Sequence, residues 1–129
     1  MSRFICRAFL VAFFAAAVSF PAAADEVLAR GSFTGASGHD TGGEVSVVKT
    51  AGGDKLVLGS DFTFDGAPDP KVGFGAGGTY DPKSQLSPLK RNAGQQSYDI
   101  PNTLDLSGYD EVYIWCQRYS VPLGVARLR

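Results

Sequence analysis

The chain has 129 residues, with 12 Lys+Arg against 13 Asp+Glu and a formal net charge of −1. That length supports one domain with one hydrophobic core. The near-neutral balance, with no cluster of Lys and Arg, excludes a nucleic-acid groove and a polybasic membrane patch; the pairs Lys90-Arg91 and Arg127, Arg129 read as solvated surface.

Taken in chain order, the first segment is a targeting signal. Arg3 and Arg7 make a short basic end, Ala8 to Phe20 is apolar, Pro21 breaks the run, and Ala22-Ala23-Ala24 supplies small residues. This is the layout of a secretory signal peptide. Residues 1–24 are expected to be removed, leaving a domain over 25–129 that is exported, either periplasmic or secreted. The apolar run is shorter than the about 20 residues a membrane span needs, so no stable span is expected after cleavage. Cleavage leaves 10 Lys+Arg against 13 Asp+Glu, a net charge of −3, and takes Cys6 away with the signal. Cys116 is then the remaining cysteine.

The rest reads as all-β. Glycine-rich turns recur at short intervals: Gly35 to Gly38, Thr41-Gly42-Gly43, Gly52-Gly53-Asp54, Asp65-Gly66-Ala67-Pro68, Gly77-Gly78 and Ser107-Gly108. Between them lie short runs of β-branched and aromatic residues, a spacing that predicts a small single-domain sandwich or barrel-like fold. Strands are expected at Val27 to Thr34, Glu44 to Thr50, Lys55 to Phe64, Lys71 to Ala76, Ser97 to Ile100, Glu111 to Tyr119 and Leu123 to Leu128. The second and third form a hairpin about Gly52-Gly53-Asp54. In Glu111 to Tyr119, alternation puts Val112, Ile114 and Cys116 on one face and Tyr113, Trp115 and Gln117 on the other. Thr79 to Asn92, with Pro82 and Pro88, reads as a long loop. Gly73 to Gly78 is no phosphate loop, because no Gly-Lys-Ser/Thr and no helix follow.

Cys116 is the first candidate for chemistry. An exported domain normally pairs its cysteines. A lone thiol there is buried and inert, joined to another molecule, or kept for redox or ligand chemistry. Its parity with Val112 and Ile114 fits a core residue. A reactive thiolate needs a nearby cation, a metal or exposure, and Arg118, two residues on, is the candidate tuning group. His39, the one histidine, sits in Gly38-His39-Asp40-Thr41-Gly42-Gly43 and is either a loop or capping residue or a metal, haem or proton-handling group.

One His and one Cys cannot complete a four-ligand zinc site or a blue-copper site. The single Met is Met1, which excludes His/Met haem ligation within the chain. Any cofactor would therefore need carboxylates, backbone groups or a second molecule beside His39 and Cys116, and a haem or metal centre shared with a partner is one such arrangement. Asp61, Asp65, Asp69 and Asp81 lie near loops but lack EF-hand spacing. No nucleophile or acid–base set is complete, so a stand-alone enzyme is not expected.

The ordered series of motifs adds a further indication. Gly31-Ser32-Phe33 precedes His39 and the Gly-Glu-Val-Ser-Val-Val strand. Leu56-Val57-Leu58 leads into Asp61-Phe62 and Asp65-Gly66-Ala67-Pro68-Asp69. Then come Leu86 to Leu89, Gly94-Gln95-Gln96-Ser97-Tyr98 with Ile100-Pro101, Val112-Tyr113-Ile114-Trp115-Cys116, Val121-Pro122-Leu123-Gly124 and Ala126-Arg127-Leu128. From about Ala29 to Leu128 this resembles the DM-thirteen domain, a family often labelled as electron-transfer. The resemblance implies a small extracytoplasmic all-β domain of the kind found beside DOMON domains and b-type membrane cytochromes. It also implies a redox role for the cysteine near the C-terminus, here Cys116. A stand-alone domain of this kind is expected to be a redox accessory that acts with a separate partner protein. The alternative is a non-catalytic binding module in which the aromatic edge and Thr79 to Asn92 hold a ligand and Cys116 is core.

Overall fold

A computed structural model of the protein describes residues 10–18 and 25–129. Arg3, Arg7 and the Ala22-Ala23-Ala24 step lie outside the described residues. Residues 10–18 have no regular secondary structure and expose Leu10, Val11, Phe13, Phe14 and Val18. No described helix is long and apolar enough to cross a membrane.

The domain is built from antiparallel strands and two short 3₁₀ turns, Pro82–Ser84 and Leu106–Gly108. The strands are β1 (Glu26–Gly35), β2 (Thr41–Gly42), β3 (Glu44–Thr50), β4 (Gly53–Leu58), β5 (Thr63–Phe64), β6 (Pro70–Ala76), β7 (Thr79–Tyr80), β8 (Ser87–Pro88), β9 (Gln96–Asp99), β10 (Glu111–Cys116) and β11 (Val121–Arg127). One sheet runs in the order β7-β6-β10-β11-β1-β3-β4-β9, with β8 on β6, while β2 and β5 form a small ribbon. The all-β expectation holds, in the form of a curled half-barrel.

The curl turns on β1. Its first part, Glu26 to Ser32, pairs with β3, and its last part, Phe33 to Gly35, pairs with β11. Gly31 sits at the crossover, where a Cβ would come within 3.0 Å of the Arg127 carbonyl carbon. Alternating residues from both halves then meet in one core: Val45, Val47, Leu56 and Leu58 face Val72, Phe74, Val112 and Ile114. Burial of that apolar area is the main favourable term in folding.

Several boundaries differ from the sequence expectation. The run Lys55 to Phe64 divides into β4 and β5, because Gly59 to Phe62 turns the chain and Phe62 N–H bonds to the Gly59 carbonyl at 3.0 Å. β10 stops at Cys116, so Gln117 to Tyr119 belong to the polar turn that ends at Ser120, whose φ is 52°. Pro122 lies inside β11, not in the turn before it. It is tolerated because the register slips there: Ile114 faces Gly124 and Trp115 faces Pro122, leaving Leu123 as the extra residue of a bulge.

The stretch expected to be a long loop, Thr79 to Asn92, is instead laid onto β6. β7 pairs Tyr80 with Gly75, and β8 pairs Ser87 with Val72. Asp81 caps the turn between them by accepting the Lys83 N–H at 2.9 Å. Buried Ser84 accepts the Phe74 N–H at 2.7 Å and clamps that turn to the sheet.

Gly73 and Gly75 of β6 are required by what lies on them. A methyl on Gly73 would sit 2.8 Å from Tyr80 Cε2, and one on Gly75 would sit 2.5 Å from Tyr113 Cε2. Aromatic rings laid over strand glycines fill the space of the missing side chains. Gly75→Ala should therefore cost about 1–3 kcal/mol through overpacking. Urea unfolding measures this, and an unchanged midpoint would contradict the packing described.

Candidate functional site

β10 carries the candidate residues because both of its faces are covered. Its central position between β6 and β11 satisfies the backbone, and strand parity sends Val112, Ile114 and Cys116 inward and Glu111, Tyr113 and Trp115 outward.

On the inner face, Cys116 is 1 % exposed. Its thiol donates to the Pro68 carbonyl at 3.2 Å. The cover is the short segment Gly66 to Asp69, a loop and not a second sheet. Asp69 adopts a left-handed φ of 56°, which Asp tolerates better than most residues. That turn lets the Asp69 carbonyl accept the Gln117 N–H at 3.2 Å, while the Asp69 carboxylate pairs with Lys71 at 2.9 Å. Cys116 itself is paired across the ladder with Pro70.

Arg118 does not share a strand face with Cys116 as expected, since the strand has already ended. Its side chain is exposed in the following turn, and neither an ion pair nor a hydrogen bond links it to the sulfur. His39 is also separate from the thiol. Its Nδ1 lies 2.9 Å from Asp65 Oδ1, and Asp65 Oδ2 accepts the Asp40 N–H at 3.1 Å. The imidazole tilts over Phe64 with ring centroids 5.9 Å apart.

The His39 loop and Cys116 nevertheless reach the same end of the sheet. The bulged Leu123 carbonyl accepts from Thr41 Oγ1 at 2.8 Å and from the Ala36 N–H at 3.1 Å, which ties the His39 loop to the β10–β11 hairpin. The segment that runs on from Asp65 then covers Cys116 at Pro68. Asp65 is thus the shared anchor. The Asp40 N–H, then His39, holds its carboxyl below the usual value of 3.8. Among the described residues no group of three or more His, Cys, Asp and Glu converges in a way that could hold a metal ion.

The outer face holds a feature that alternation only half revealed. Trp115 stacks on Tyr80 at 4.4 Å and 17°, and Tyr113 stands edge-on to Trp115 at 6.4 Å. Beneath them Glu111, 4 % exposed, accepts the Tyr113 O–H at 2.9 Å through Oε2 and the Gly78 N–H at 2.6 Å through Oε1. Sequence parity paired Tyr113 with Trp115. Tyr80 and Glu111 were missed, because their place depends on the β6–β7 and β6–β10 registers. The usable signal was Gly73-x-Gly75 opposite aromatic residues.

An open, mostly apolar cleft of about 330 Å³ lies at another part of the domain, lined by Leu28, Val47, Phe74, Leu106, Tyr109 and Leu128. It includes none of Cys116, His39 and Arg118.

The family model of the electron transfer DM13 domain matches residues 32–128. The chain belongs to that family, as its ordered motifs indicated. No curated protein and no solved structure matches the chain.

Desolvation pushes the Tyr80 phenol up to about 12, and desolvation followed by the Glu111 hydrogen bond pushes Tyr113 up to about 12 as well. A folded-state value above the unfolded value of 10.0 means that the unfolded chain loses protons first. Stability from these groups is intact below pH 10 and falls as pH rises toward 12. Spectrophotometric titration should show at least two phenols, those of Tyr80 and Tyr113, that ionise only with unfolding in that window. Reversible ionisation of every tyrosine near pH 10 with the fold intact would contradict this.

Proposed function

We propose that the domain is an exported electron-transfer accessory module that works with a separate redox partner, and that Cys116 is the thiol it uses. Membership of the electron transfer family supplies the general role. The observation that carries the finer reading is the position of Cys116. It is held at a sheet end beneath one short segment, Gly66 to Asp69, whose turn contains a left-handed non-glycine residue. Conformations of this kind cluster at functional and switching segments. Export rests on the basic, apolar and small-residue layout of residues 1–24.

The chemistry follows from lifting that cover. The thiol leaves the Pro68 carbonyl, loses its proton to solvent, and the thiolate attacks one sulfur of a partner disulfide. A bond forms between Cys116 Sγ and that sulfur, and the other partner sulfur leaves as a thiolate. A thiolate from a second partner molecule then attacks the partner-derived sulfur of the mixed disulfide. A new disulfide forms between the two partners as the bond to Cys116 Sγ breaks, and Cys116 leaves as a thiolate. The net result is oxidation of the second partner's thiol and reduction of the first partner's disulfide. Arg118, exposed in the next turn, lies where it would meet an acidic partner surface. Any haem or metal centre would be held mainly by the partner, with His39 on the same rim.

A second reading is favoured by the depth of Cys116 and by the apolar cleft. In it the thiol is a core residue and the domain binds an apolar group between Leu28 and Tyr109.

Incubation of the exported protein, its first residue verified as Asp25 by N-terminal sequencing, with an excess of an aromatic disulfide separates the two. The redox reading expects one covalent adduct per chain by intact mass, absent in Cys116→Ser, with the circular dichroism spectrum unchanged. A native protein that forms no adduct, while the urea-unfolded protein reacts readily, would favour the binding module.

A further inference from the structure

The outer face of β10 holds three stacked or edge-packed rings and one buried carboxylate that the thiol chemistry does not use. We propose that Trp115, Tyr80 and Tyr113 form a one-electron relay, with Trp115 as its entry and Glu111 as the proton acceptor for Tyr113. This rests on the electron-transfer reading but needs no participation by Cys116, which points to the opposite face.

The entry is set by exposure. Trp115 is the member of the group that is partly exposed, whereas Tyr80 and Tyr113 are buried. Of these three rings, a partner carrying a high-potential one-electron metal centre can therefore approach only the indole. Removal of one electron from Trp115 leaves a radical cation, and Tyr80 lies face-on to it at 4.4 Å and 17°. An aromatic face stabilises a positive charge held over it, so the stack favours the hole on the indole.

The next step distinguishes the two tyrosines. Oxidising a phenol requires that its proton leave. Tyr113 O–H already points at the Glu111 carboxylate, 2.9 Å away. Tyr80 O–H faces Gln85 Oε1 at 3.4 Å, and a neutral amide takes no proton. The electron therefore passes from Tyr113 to the Trp115 radical cation while the proton passes to Glu111 Oε2. The products are a neutral Tyr113 phenoxyl radical, a protonated Glu111 and a restored indole. Glu111 is kept in place by the Gly78 N–H on its other oxygen. The other ionisable groups whose charge reaches these phenols are Asp110 toward Tyr113 and Asp81 toward Tyr80. One electron from a reductant of the thiol or enediol class, with the proton held by Glu111, returns Tyr113 to the phenol.

A structural role alone explains less. A hydrophobic residue would fill the outer face without burying a charge, and a carboxylate 4 % exposed carries a desolvation cost that needs specific partners. Here those partners are one backbone donor and one oxidisable phenol.

The test uses the purified protein carrying Tyr119→Phe throughout, which removes the exposed phenol, and a photogenerated ruthenium(III) polypyridyl as the one-electron oxidant, followed by transient absorption and electron paramagnetic resonance. This parent protein should show an indole radical that is replaced by a phenoxyl radical, at a rate independent of buffer concentration. Trp115→Phe should reduce the phenoxyl yield by about an order of magnitude, and Tyr113→Phe should leave the indole radical unreplaced. Tyr80→Phe should keep the phenoxyl signal. Glu111→Gln should slow phenoxyl formation by about a hundredfold, within the range general-base transfer contributes, and make it depend on buffer.

A phenoxyl signal that survives Tyr113→Phe, or one that forms in Glu111→Gln at the parent rate, would overturn the relay. Buffer-dependent phenoxyl formation in the parent would also overturn it, and that readout depends on no further variant. The radical readout involves no disulfide and the adduct readout no photo-oxidant, so failure of the relay and failure of the thiol reading are separately visible.

Discussion

The ladder from β6 through β10 to β11 fixes the parity of one strand, and with it the side to which each candidate group faces. β10 is covered on both faces, so its six residues are divided between two environments with nothing left for plain solvent exposure except part of Trp115. Inward, the strand continues the apolar core and ends in Cys116. Outward, it supports an aromatic group floored by Gly73 and Gly75. A one-residue slip of register would exchange these faces and bury a glutamate in the core, so the bulge at Leu123 is absorbed in β11 and leaves the β6–β10 register intact.

The same bulge joins fold to function. It frees the Leu123 carbonyl from the ladder, and Thr41 and Ala36 take it up. The loop carrying His39 is thereby drawn to the end of the hairpin, where Asp65 fastens it to the segment that covers the thiol. Within the domain His39 is part of that fastening, its near side chains being one carboxylate and one phenylalanine ring. The two proposals divide between the faces, a two-electron thiol exchange on the inner one and a one-electron hole transfer on the outer one. They share only the strand that separates them.

Much of the fold was legible because it rests on local signals. Alternation marked β3 and the inward and outward sets of β10, and turn residues marked the breaks between strands. The motif order carried the family. What stayed hidden depends on contacts distant in sequence. The end of β10 at Cys116 is set by the turn to Ser120, which a run of Gln, Arg and Tyr does not announce. Pro122 reads as a turn residue unless the bulge opposite Trp115 is known. Thr79 to Asn92 reads as a loop because its pairings are two residues long and lie on β6. Glu111 reads as an exposed strand end, since its burial follows from Gly78 and Tyr113 arriving from two directions.

Whether Cys116 is a functional thiol depends on whether Gly66 to Asp69 opens by itself. Local opening exposes little surface and so responds weakly to denaturant, whereas global unfolding responds steeply. The most direct measurement is the alkylation rate of Cys116 under native conditions as a function of low urea concentration. The account predicts slow labelling whose rate hardly changes with urea well below the unfolding transition. Labelling that climbs with the full urea dependence of global unfolding would contradict it and leave Cys116 as a residue of the core.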